Sequence, residues 1–119
     1  MEWKLNDDRP IWLQLAEQMT RRIITGVYPP GRKLPPVREL AAEAGVNPNT
    51  MQRALAQLEQ DGLAKADRTA GRLVTQDTAI LDAVRRAEAH VVVNQYYHAM
   101  AELGYSQQEA TAMLKEEHT

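Results

Sequence analysis

The 119 residues contain no cysteine, which excludes a disulfide framework and thiolate chemistry. Phenylalanine is also absent, leaving Trp3, Trp12 and four tyrosines as the only aromatics. No apolar run approaches the roughly 20 residues that a membrane-spanning helix needs. The opening Met1-Glu-Trp-Lys-Leu-Asn-Asp-Asp lacks the basic-then-apolar pattern of a signal peptide. Together these absences point to a cytoplasmic chain. There is no P-loop, no G-x-G-x-x-G, no H-E-x-x-H and no convergent cluster of titratable groups. The expectation is therefore not an enzyme, and no cofactor is expected.

What is present is ordinary in bulk, with 44% apolar and 25% charged residues, enough for one modest core. The net charge of −2 is unevenly spread. Residues 1–76 carry eleven Lys or Arg against nine Asp or Glu, and residues 77–119 three against seven. The basic residues thus lie in the half where a nucleic-acid motif would need them.

Periodicity divides the chain. Residues 10–25 predict an amphipathic helix, with Trp12, Leu15, Ala16, Met19 and Ile23 inside and Glu17, Arg21 and Arg22 outside. Gly26 ends it, and four prolines within Tyr28–Pro36 forbid a helix through that stretch. A short helix over 37–44 turns Val37, Leu40, Ala41 and Ala44 inward. Gly45 stops it, and Asn47-Pro48 restarts a third helix as N-cap and first helical residue. This helix runs to about Asp61, with Met51, Leu55 and Leu58 inside and Asn49, Gln52, Arg53, Ala56 and Gln57 outside. Two short helices around a tight glycine turn describe a helix-turn-helix. Leu63–Ala66 and Arg72–Thr75 around a glycine-bearing loop then predict a β-hairpin. The fold class expected is mainly α with a small β-hairpin: a winged helix-turn-helix over 1–76, then a two-helix dimerisation tail over 77–119. In that tail, Ala79 to about Leu103 reads as one helix, and Ser106 with Glu109 has the capping-box spacing for another.

Residues 10–75 resemble the GntR family of bacterial regulators. The matching pieces are Pro10-Ile-Trp-x-Gln-Leu, Gly26-x-Tyr-x-Pro-Gly-x-x-Leu-Pro, Val37-Arg-Glu-Leu-Ala, Gly45-Val-Asn-Pro-Asn-Thr and Arg53-Ala-x-x-x-Leu-Glu-x-x-Gly-Leu. Val46-Asn-Pro-Asn-Thr and the short tail resemble the YtrA-like subfamily in particular. The resemblance implies a two-fold dimer on a palindromic operator, usually as a repressor. It also implies that Arg38 is a DNA contact. Three departures concern the operator. Pro36 stands where Ser or Ala is common and a Ser would cap the second helix, Gln52 where other subfamilies carry a base-reading Arg, and Leu73 where Phe is frequent.

Base edges in the major groove are read by Asn, Gln, Arg and Thr. The third helix offers Asn49, Gln52, Arg53 and Gln57 for that work, with Thr50 at its flank, although such a face taken alone is also that of a solvated helix. Arg38 could instead pair locally with Glu39 or Glu43, which is worth little. Arg32 and Lys33 are candidates for phosphates or a solvated pair, and Asn47 for phosphate beyond its capping role. Arg68, Thr69 and Arg72 make up the wing, where guanidinium groups suit a narrow minor groove and equally suit a solubilising hairpin. Trp12 is expected in the core.

The tail carries Leu81, Val84, Val91, Val92, Tyr96, Met100 and Leu103 at near-helical spacing. That apolar surface needs either the last helix or a second chain to cover it. A small-molecule effector, if one exists, is expected near Tyr96, Tyr97 or His98. His90 and His98 are roughly 12 Å apart along a helix axis, too far to share a metal within one chain though not across a dimer; they read better as polar interface positions, and no metal site is expected. A winged helix used only for protein contacts and an RNA reader are the remaining alternatives. Steep salt dependence separates the first from DNA binding, and the scarcity of surface aromatics argues against the second.

Overall fold

The structure is a computed structural model that describes residues 2–117; Met1, His118 and Thr119 lie outside the described residues. The elements run α1 (Ile11–Ile24), α2 (Val37–Ala44), α3 (Pro48–Gln60), β1 (Ala64–Asp67), β2 (Gly71–Val74), α4 (Thr78–Glu102) and α5 (Gln107–Glu116). The expected class stands: a mainly helical chain with one antiparallel hairpin.

Local chemistry sets the helix ends. α2 begins after Pro36 with no side-chain cap and ends on Gly45 at φ 71°, a left-handed conformation that glycine adopts without a Cβ penalty. Two residues on, the Asn47 side chain accepts the Asn49 N–H at 2.7 Å, and Pro48 occupies the first helical position. The turn between α2 and α3 is thus closed at both ends by residues suited to it.

The core lies between α1, α2 and α3. Leu15, Met19, Ile23, Leu40, Met51, Leu55 and Leu58 are each at most 2% exposed. Removing such side chains from water stabilises by roughly 1.5–3 kcal/mol apiece. β1 and β2 pair from Ala64↔Val74 to Asp67↔Gly71, one residue further along than the sequence suggests on the first strand. Leu63 is buried instead, its N–H returning to the Leu58 carbonyl at the end of α3.

The proline-rich segment supplies a third edge to this hairpin. Gly31 donates to the Val74 carbonyl, Val74 to that of Arg32 and Leu34 to that of Arg72, each at 2.9 Å. Pro29, Pro30, Pro35 and Pro36 cannot donate, but they flank the segment, so its pairing N–H groups stay free.

α1 departs from its expected pattern. Arg22, expected outside, is 3% exposed. Its guanidinium lies 3.9 Å from the Trp3 ring centroid and donates to the Tyr28 hydroxyl at 2.8 Å and to Glu43 at 3.3 Å. Residues 3–9 form a strap that covers a second side of α1. Gln18 clasps the backbone of Lys4, and buried Gln14 clasps that of Asn6 and Arg9. Trp12, expected in the core, is only half-buried.

The chain divides into two compact units, one running to Asp82 and the other starting at Ala83. The first turn of α4 belongs to the former, and Leu81 is buried there. The second unit is a helical hairpin. It turns at Gly104 (φ 93°), and Ser106 and Glu109 form the expected capping box. Tyr96 donates to the Ala110 carbonyl, and the Tyr97 and Thr111 hydroxyls bond each other, both at 2.7 Å.

Candidate nucleic-acid interface

The outer face of α3 follows from what the helix buries. Met51, Ala54, Leu55 and Leu58 point into the core, leaving Asn49, Gln52, Arg53 and Ala56 exposed and Thr50 half-exposed on its flank. Gln57 is drawn back to Asp61 at 3.0 Å. Asn47 is exposed, but its side-chain oxygen is engaged in the cap.

Arg38 projects from the first turn of α2 and is exposed. Arg32 and Lys33, also exposed, lie on the third edge of the wing sheet, Lys33 bridging to Leu73. Among the described residues, Arg32, Lys33, Arg38 and Arg68 make no ion pair. A solvated cation without an acidic partner can meet a phosphate with no internal bond to break.

The two wing arginines differ. Arg68 is exposed at the hairpin tip. Arg72 is half-buried and its Nε bonds Glu59 of α3, tying the wing to that helix. The tip itself is built by Asp67, whose Oδ1 accepts from the Thr69 N–H, the Thr69 hydroxyl and the Ala70 N–H, each at 2.9 Å. The Ala70 and Thr69 bonds hold the Asp67 carboxyl below the ordinary carboxylate range. This turn-forming role escaped the sequence reading, although Asp followed by small residues in a hairpin loop is its signal.

In the second unit the candidate tail residues separate. Val91, Val92, Val93 and Leu103 are 52%, 58%, 45% and 73% exposed. Val84, Tyr96 and Met100 are half-buried, and Leu81 is buried within the first unit. The tyrosine hydroxyls named for an effector are engaged inside the hairpin, while His98 is exposed and pairs with Glu102 at 2.9 Å. Among the described residues no group of three metal-ligating side chains converges, and no helix is long and apolar enough to cross a membrane.

Comparison with known proteins agrees with this geometry. The family described as "Bacterial regulatory proteins, gntR family" matches residues 12–74, from α1 to the end of the wing. The chain is similar to the uncharacterized HTH-type transcriptional regulator YhcF of Bacillus subtilis (strain 168). The two are 32% identical over 115 residues, covering 97% of this chain and 95% of that one. It is also similar to the HTH-type transcriptional repressor YtrA of the same organism, at 38% identity over 68 residues, or 57% of this chain and 52% of YtrA. A solved GntR family transcriptional regulator from Listeria monocytogenes matches the fold with a TM-score of 0.84 at 32% identity. That match covers 94% of this chain and 98% of the other. These relatives are transcriptional regulators, not enzymes. With its glycine-closed helix-turn-helix, its exposed α3 face and its wing, the chain belongs to the GntR family of DNA-binding transcriptional regulators, in the YtrA-like group.

Proposed function

We propose that the chain is a cytoplasmic homodimeric repressor that binds a palindromic operator, inserting α3 of each copy into the major groove. The observation that carries this reading is the α3 face itself. Asn49 and Gln52 stand exposed on a helix whose other side is core, next to a preceding helix that presents an unpaired Arg38. Asn49, Thr50 and Gln52 read base edges in this scheme. Arg38 touches base and backbone, while Arg32 and Asn47 stand over phosphates. Arg68 and Thr69 carry the wing contact, and Arg72 keeps the wing docked on α3 through Glu59.

Dimerisation is assigned to the second unit. Val91, Val92 and Val93 are consecutive, so they fan around α4, and all three remain exposed beside the hairpin's other helix. A second copy covers them symmetrically, and a two-fold protein then matches a two-fold operator. Val84, Tyr96, Met100 and Leu103 line or support the same seam.

The reading is tested by titrating operator DNA, recovered by footprinting upstream of the chain's own gene, against scrambled DNA at several salt concentrations. Asn49→Ala should lose about 1–3 kcal/mol on the operator and relax preference at one base pair. Arg68→Ala should weaken both DNAs alike and lower the salt slope by about one per phosphate released. Unchanged affinity and preference in Asn49→Ala would remove α3 from the role of reader.

A further inference from the structure

The Arg53 guanidinium lies 4.2 Å from the centroid of the Trp12 ring of α1. Among the described residues Arg53 makes no ion pair, and its side chain is exposed on the helix assigned to the groove. Trp12 is half-buried on α1, so one surface is left as a platform. Core packing alone would put the ring inward, with the buried stripe of Leu15, Met19 and Ile23.

Helical geometry says which side of α3 this is. At 100° per residue, Gln52 and Arg53 fall on opposite sides of the line through Asn49 and Ala56. Glu59, which holds the wing through Arg72, lies on the Gln52 side. Arg53 lies on the other side, facing α1. A helix in the major groove points its outermost residues at base edges and its flanks toward the backbones of the groove walls. Stacking engages the flat face of a guanidinium and leaves its in-plane N–H donors free, and a ring-held fork gives up less rotamer freedom on binding.

We infer that Trp12 is a positioning residue for Arg53, holding the guanidinium flat at the α1 flank of α3 with its N–H edge open to a backbone phosphate. The inference rests on the reading of α3 as the groove helix. It assigns Arg53 to affinity and leaves sequence preference to Asn49 and Gln52.

The test uses the full chain and the salt-series titration, with thermal melting as a check on folding. Arg53→Ala should weaken operator and scrambled DNA by similar factors and lower the salt slope by about one per half-site. Trp12→Leu should weaken binding about two- to fivefold per half-site with the salt slope kept, and Trp12→Tyr should bind like the wild type. In the Arg53→Ala background, Trp12→Leu should have no further effect. An equal loss in both backgrounds would overturn the proposal, because Trp12 would then act only through packing. Unchanged affinity and slope in Arg53→Ala would overturn it too, while relaxed preference in Asn49→Ala would leave the groove-helix reading standing. Where Trp12→Leu fails to fold, Arg53→Lys decides. It keeps the charge but loses the stacked plane, so it should bind more weakly than wild type, and wild-type binding would overturn the proposal.

Discussion

The two units of this chain are built on different principles. The residues up to Asp82 pack large side chains from three helices to near-complete burial, with Leu15, Leu40, Met51 and Leu58 at 0% exposure. Among the described residues from Ala83 onward, Ala110 is the one side chain buried to that degree, and the valines at the centre of α4 face water. Two tyrosine hydroxyls tie the hairpin's helices together, and a capping box closes the start of α5. A protein that reads DNA needs a rigid reader, because a recognition helix displaced by a fraction of a turn meets the wrong bases. The dimerisation element proposed above instead needs surface left over for a partner. The winged unit completes its core alone, and the tail does not.

The sharpest way to break that contrast is in the core. Leu55→Ala should destabilise the winged unit by about 2–5 kcal/mol, read from denaturant unfolding followed by circular dichroism. A loss under about 1 kcal/mol would mean that the three-helix core is not what holds the reader together.

A second effect, felt in assembly more than in folding, should come from the tail. The double change Val91→Glu and Val92→Glu places charge on the exposed apolar stretch. Sedimentation velocity should then report monomers, and operator affinity should fall about 10²- to 10⁴-fold as two half-site contacts lose their linkage. The melting of the winged unit should be unmoved. A full dimer in this variant would transfer dimerisation to some other surface.

The smallest expected effect lies at the wing tip and concerns pH. The Asp67 carboxyl is held below the ordinary carboxylate range by the Ala70 and Thr69 bonds. A depressed carboxyl contributes stability that is fully present above its unfolded value and lost as pH falls through the lower folded value. The turn should therefore be complete at neutral pH and loosen only in acid. The Thr69 and Ala70 amide resonances should titrate below the range of a free aspartate, and Asp67→Asn should abolish that titration. Titration at the ordinary aspartate value would mean that the turn does not depend on this carboxylate.

Legibility followed the same division between local and distant causes. The helix-turn-helix could be read because each of its signals lies within a few residues of its effect. Asn47 caps the helix it precedes, Pro48 fills the first position, and Gly45 supplies the left-handed turn. The outer face of α3 followed from its 3.6-residue period: Asn49, Gln52, Arg53 and Ala56 are exposed as expected, and Gln57 is half-buried. The burial of Arg22 was not legible, because its partners Trp3, Tyr28 and Glu43 lie on three separate segments.

Read alone, the sequence determines the order of the elements, where they start and stop, and which α3 residues turn outward. It also specifies that a wing follows and that the tail carries more apolar surface than one helix can hide. These follow from capping, backbone conformation and periodicity, which act between neighbours in the chain. Only the tertiary structure decided that the segment around Arg32 joins the wing sheet, that Arg72 is bound to Glu59 while Arg68 is not, and that Arg53 rests on Trp12. Each of these joins residues remote in sequence. Such pairings depend on how completed elements pack, and a buried cation, a docked wing and a stacked guanidinium have no signature in local spacing.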